Sequence, residues 1–110
     1  MDSYEVIISP KALSQLNDYI DYLQYALFND QAAKQVWQDA IYAAKKLETA
    51  AGSLRLCAHP SLRRMGYYPI FFQHHRYVML YRIQNHSVFI EAVYHTQQDY
   101  ENTFSEEAEK

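Results

Sequence analysis

Hydrophobic positions in the first half of the chain recur at three- and four-residue intervals, whereas in the second half they crowd into short runs rich in Val, Ile, Tyr and Phe. The first pattern predicts helices and the second predicts strands. Residues 4–8 form a short opening strand. Ser9-Pro10 then starts a helix: the serine hydroxyl can cap free N–H groups, and a proline at the first helical position lacks only an N–H that would have no partner there. Ile8 and Leu13 are spaced for a hydrophobic staple across that entry. Leu13, Leu16, Ile20, Leu23 and Leu27 continue as the stripe of an amphipathic helix that ends near Phe28. Asn29 or Asp30 breaks it and caps a second helix, which should bury Ala33, Val36, Trp37, Ala40, Ile41, Ala44 and Leu47 and fade by Gly52. So short a break makes an antiparallel helix hairpin.

Residues 54–66 read as a loop or short turns, punctuated by Pro60 and Gly66. Residues 67–73 are a strand, with Pro69 near its start or on a sheet edge where no ladder N–H is needed. His74-His75 is too short for a crossover, so the next strand, residues 76–83, returns antiparallel. The polar interruption Gln84-Asn85-His86-Ser87 then turns the chain into a last strand ending at His95. A two-residue turn at Asn85-His86 fixes the register. Ile83 then faces Val88, Tyr81 faces Ile90, Met79 faces Ala92 and Tyr77 faces Tyr94, an apolar face. The other face pairs Arg82 with Phe89, Leu80 with Glu91, Val78 with Val93 and Arg76 with His95, gathering a cation, a carboxylate and an imidazole at one end. The expected fold is α+β: an N-terminal strand, a helix hairpin, then a three-stranded antiparallel meander with the helices packed on one sheet face.

At 110 residues the chain is one domain, expected to span residues 1–104. With 49% hydrophobic residues, two glycines and three prolines it has none of the composition of a disordered protein. The single cysteine, Cys57, excludes an internal disulfide and a cysteine-based zinc finger, fits a reducing cytosol, and reads as a small packing residue. Asp2 and Glu5 stand where a targeting sequence would be basic, and no segment approaches the 18 or so consecutive apolar residues of a membrane span. These features lead to the expectation of a soluble, cytoplasmic protein without membrane contact. Residues 105–110, with three glutamates, read as a frayed acidic tail, or as one folding back over a basic face.

The net charge of −3 hides an uneven distribution. Residues 1–50 carry −3, residues 51–95 carry +4 and residues 96–110 carry −4, and all five arginines (Arg55, Arg63, Arg64, Arg76 and Arg82) lie in the middle segment. A local cationic surface attracts phosphate whatever the total, and the planar guanidinium binds anions bidentately. The alternative is that these arginines are ordinary solvated residues at strand edges. His59, His74 and His75 have no Asp, Glu or Cys beside them at ligand spacing, so no metal site and no cofactor is expected.

The order of elements, with HHRYVMLYRI followed by VFIEAVYHTQQDYENTF, resembles the RelE/ParE toxins of type II toxin–antitoxin (plasmid stabilisation) modules, over residues 4–104. The resemblance implies a toxin that inhibits growth until a cognate antitoxin neutralises it, in a toxin–antitoxin hetero-oligomer. It implies one of two targets. RelE-like members cut ribosome-bound mRNA without a metal. That chemistry needs an acid, a base and cations for the charged phosphorane. Here His95 would be acid or base, Glu91 a base or the group orienting His95, and Arg76 a charge stabiliser, with Arg63, Arg64 and Arg82 as phosphate- or target-binding residues. ParE-like members inhibit DNA gyrase. The long helix hairpin and the spacing of His95 and Asp99 are more similar to that branch, and Thr96-Gln97-Gln98-Asp99 stands where RelE-like members carry a basic segment. A third reading is an inactive member that only binds its antitoxin. An added strand at a sheet edge, or a helix laid into an apolar groove of the hairpin, are the expected modes of antitoxin binding.

Overall fold

A computed structural model describes residues 3–74 and 76–109. Strand β1 (Glu5–Ile8) leads into helix α1 (Pro10–Asp21), whose first turn is closed as expected: the Ser9 hydroxyl accepts the Ala12 N–H at 3.0 Å. The helix does not run unbroken to Phe28. Its last turn, Tyr22–Ala26, widens to a π-helix, the Leu27 N–H bonding to the Tyr22 carbonyl at 3.1 Å. Phe28 then turns the chain at φ +50°, and the Asn29 side chain caps helix α2 (Asp30–Ala50) by accepting from the Ala32 N–H. A 3₁₀ turn, Ala51–Ser53, ends the hairpin. At Gly52 an added Cβ would stand 2.7 Å from the Tyr4 hydroxyl, so any larger residue here would displace the end of that side chain.

Within the loop expected at residues 54–66 the structure forms a short helix, α3 (Pro60–Arg64), closed by Gly66 at φ +84°. Strands β2 (Tyr67–Phe71), β3 (Tyr77–Gln84) and β4 (Ser87–His95) form the antiparallel meander, and β1 pairs in parallel with β4, giving the order β1-β4-β3-β2. Pro69 therefore sits on an edge strand, where its missing N–H costs no ladder bond.

The Asn85-His86 turn forms, with Gln84 opposite Ser87, Asn85 at φ +58°, and Ile83–Val88, Arg82–Phe89 and Tyr81–Ile90 paired as the pattern required. Beyond these pairs the register departs from expectation. Glu91 is the extra residue of a β-bulge, so Leu80 faces Ala92, Met79 faces Val93, Val78 faces Tyr94 and Tyr77 faces His95. The Arg76–His95 pair is consequently not made, and the sheet does not have one apolar and one polar face. Val88, Ile90 and Val93 pack with Tyr77, Met79 and Tyr81 under α1 and α2, while Ala92 and Tyr94 join Val78 and Leu80 in a second core on the opposite face.

That second core needs its own cover. Cys57, Leu62 and Tyr67 supply part of it, and a C-terminal helix, α4 (Tyr100–Ala108), supplies the rest through Phe104. The C-terminal segment thus folds back and stays helical to Ala108, contrary to a frayed end at residue 105. The cause is visible in its anchors. Phe104 is buried edge-on against Tyr67, Ser105 is buried, Glu107 pairs with Lys11 of α1, and Glu101 accepts the His59 N–H at 3.1 Å. Burial pushes the Cys57 thiol up to about 11, as expected of a packing residue and not a nucleophile.

Helix α2 buries Ala33, Val36, Ala40 and Leu47 as its spacing requires, and Ala43 where Ala44 was expected and is only half-buried, but Trp37 and Ile41 remain 44% and 51% exposed. They do not complete the core; they line an open groove. No helix among the described residues is long and apolar enough to cross a membrane.

Truncating Phe104 to alanine should lower unfolding stability by about 3 kcal/mol, the usual cost of emptying a buried aromatic site. Urea denaturation reads the change. A shift within error of zero would mean that α4 is not part of the cooperative fold.

Candidate functional site

The bulge gives Glu91 its position. As the extra residue of β4 it lies on the outer sheet face beside Arg82 of β3, which donates from Nε to Glu91 Oε2 at 2.5 Å. The Tyr67 hydroxyl of β2 donates to the same oxygen at 2.9 Å. Arg82 also stacks over the Phe89 ring at 4.6 Å and donates to Gln84 at 3.0 Å. The cluster is closed on itself: the only carboxylate accepts from both neighbours. Burial, followed by the hydrogen bond and the negative charge of Glu91, pushes the Tyr67 hydroxyl up to about 12. Tyr67 is thereby held as a neutral donor.

The remaining expected site residues stand elsewhere. The His95 ring packs edge-on against Tyr77 at 5.1 Å, and its Nδ1 accepts the Gln97 N–H at 3.1 Å. The proton of the neutral ring is therefore on Nε2. Asp99, four residues on, accepts from Asn102 at 2.8 Å. The Arg76 carbonyl accepts from the Thr96 N–H and hydroxyl at 2.8 and 3.2 Å, and no carboxylate among the described residues pairs with its guanidinium. Arg63 and Arg64 lie exposed on α3. Arg76, Glu91 and His95 are thus not one constellation. Tyr94 and Tyr100, whose rings stack at 6.4 Å, belong to the outer core with Phe104.

Of the histidines considered as ligands, His59 bonds through Nε2 to Asn102 at 2.9 Å, and His75 lies outside the described residues. His74 has a partner that the periodicity of α2 offered as a signal. Asp39 interrupts the run Val36, Ala40, Ala43 and is buried among them at 3% exposure. Its Oδ1 accepts from His74 Nδ1 at 2.8 Å and from Gln35 at 3.1 Å, and its Oδ2 accepts the His74 N–H at 3.1 Å. Burial by itself would raise the carboxyl, but the hydrogen bonds from the His74 ring, the Gln35 amide and the His74 backbone together hold it below its ordinary value. Asp39 so fixes the turn between β2 and β3 to the middle of α2.

An apolar groove of about 490 Å³ lies between α1, α2 and the sheet, lined by Val6, Ile8, Leu13, Trp37, Ile41 and Met79. Lys45 and Glu48 lie at its margin. Leu13 and Ile8, the expected staple, both face it. It offers shape and apolar surface with no converging chemistry.

Two measurements check these assignments. Glu91→Gln should move the Tyr67 hydroxyl down from about 12 towards the ordinary tyrosine value near 10, because both effects of the carboxylate raise it; carbon-13 NMR of labelled tyrosine follows the titration. A folded-state carboxyl depressed below its unfolded value contributes stability that is complete above the unfolded pKa and is lost as pH falls through the folded pKa. Urea midpoints of the native protein should accordingly drop as pH decreases below about 4, and Asp39→Asn should be less stable at neutral pH with that part of the acid dependence removed.

The family model for the ParE toxin of type II toxin–antitoxin systems, parDE, matches residues 6–100. Among solved structures, the chain is similar to one from the chromosomal ParDE toxin–antitoxin system of P. aeruginosa, with 17% identity and a TM-score of 0.68 over 83% of this chain and 94% of that one. Curated proteins give no match. With the strand, helix hairpin and meander in place and the family pattern spanning nearly all of them, the chain belongs to the ParE toxin family of type II toxin–antitoxin systems.

Proposed function

We propose that this toxin inhibits growth by acting on DNA gyrase, and that its antitoxin silences it by filling the apolar groove of the helix hairpin. Membership of the ParE family is the observation that carries the reading. The layout of the polar residues supports it. Ribonuclease chemistry needs an acid, a base and cations converging on one phosphate. Here Glu91 is engaged by Arg82 and Tyr67, His95 packs on Tyr77, and Arg76 lies beside Thr96. Inhibition by binding requires no such convergence.

For the antitoxin, the groove has the dimensions and apolar lining of a helix-binding site, and Trp37 and Ile41 are the exposed side chains that a bound helix would cover. Strands β1 and β2 are the two sheet edges, so either offers free backbone groups to an added strand. The toxin is thereby expected in a hetero-oligomer and in the cytoplasm, where gyrase is found.

Purified toxin added to gyrase and supercoiled plasmid should reduce supercoiling and accumulate cleaved DNA complexes. Ribosome-bound mRNA should stay intact. Cutting of that mRNA, abolished by His95→Gln or Arg76→Ala, would replace this reading with the ribonuclease one, and silence in both assays with normal growth would leave only antitoxin binding. Ile41→Glu, at a site half open to solvent, should leave the toxin folded and weaken its antitoxin at least tenfold by calorimetry.

A further inference from the structure

The turn between β2 and β3 borders two adjacent cavities of about 290 and 320 Å³ that share Phe71 and Gln73. Lys46 and Tyr42 of α2 line the first, and His74 and Arg76 line the second. The side chains along this path have two characters. Lys46 and Arg76 are exposed fixed cations with no ion-pair partner among the described residues, and Tyr42 and Phe71 are aromatic rings 58% and 56% exposed. The one carboxylate bordering either cavity, Asp39, is buried and already accepts three hydrogen bonds. Because a carboxylate only accepts, His74 donates to it from Nδ1, which leaves Nε2 as the ring nitrogen without a partner among the described residues.

Cations at both ends of an open path, with exposed rings beside and between them, match a strand of phosphates with unpaired bases. Phosphates are attracted to the cations, and bases stack on the rings whatever their identity. A duplex hides those base faces, and an acidic peptide has none. We propose that this groove along the β2 edge binds single-stranded nucleic acid, with Lys46 and Arg76 on the phosphodiester backbone, Phe71 and Tyr42 as stacking surfaces, and His74 held in place by Asp39 between them. The site lies apart from the apolar groove assigned to the antitoxin, which is lined by the α1 side of α2 and by β1. It does not rest on gyrase being the target.

The test is fluorescence anisotropy of a labelled twelve-nucleotide oligothymidine and an oligouridine of the same length with purified full-length protein at low salt. Saturable binding is expected, with a slope of log affinity on log salt near −1.4, that is about 0.7 for each of two phosphate contacts. Lys46→Gln with Arg76→Gln should weaken binding at least fivefold, and Phe71→Ser should do the same with less change in the salt slope. All three positions are exposed, so circular dichroism of the variants should be unchanged. The proposal is overturned by absence of saturable binding, by variants that bind as well as the native protein, or by a duplex or a glutamate-rich peptide that binds as tightly as the single strand. Gyrase inhibition measured on the same preparations separates the two readings, since either result can fail while the other stands.

Discussion

The constraint on which this fold turns is one extra residue in β4. Without a bulge at Glu91, alternation would place Ala92 and Tyr94 under the helix hairpin and Val93 and His95 outside. With it, those roles are exchanged. Ser9 accommodates the disruption. Its N–H bonds to the Ile90 carbonyl at 2.9 Å, and its hydroxyl, while capping α1, lies 3.4 Å from the Glu91 carbonyl as donor. One serine therefore starts a helix and satisfies the backbone where the ladder is broken. The second core, the docking of α4 and the removal of His95 from the outer face all follow from that single insertion.

The family's architecture is built on this chain from two unequal cores. The larger one lies under the hairpin and leaves a margin open, where Trp37 and Ile41 are exposed. The smaller one is closed by the C-terminal helix. An exposed apolar margin on a small protein is a liability for solubility unless a partner covers it. On the reading proposed above, the antitoxin is that partner, and the open margin and the neutralising contact would be one surface.

Much of this was legible in the residues. Ser9-Pro10, Asn29 and Asn85-His86 each have a local mechanism, and each forms as that mechanism requires. The sequence misleads where a neighbour distant along the chain decides. Period-two alternation carries no warning of a bulge, although three consecutive buried residues, Ala92, Val93 and Tyr94, were a sign that both faces of β4 are covered. Trp37 and Ile41 fit the apolar stripe, but a stripe gives the direction a side chain takes and not whether anything meets it there. Asp39 is not legible from the sequence, because an acid in an apolar run reads as an interruption until its partner, 35 residues further on, is known. In the acidic tail the misleading signal is of the opposite kind: its charges point to solvent, whereas Phe104 decides its place.

The parallel pairing of β1 with β4 has a consequence for how the protein comes into being. Glu5 lies opposite Ser87 and Ile8 opposite Ile90, so the first strand is completed by residues about 80 positions later in the chain. Contacts of such high sequence separation form late and slow folding. During synthesis the helix hairpin is exposed to solvent, with its groove lacking the floor that Met79 and Ile90 provide, until the last strand has left the ribosome. The groove thus exists only once the chain has been made through β4, and a partner that recognises it, as proposed for the antitoxin, can act only on molecules that have passed that point.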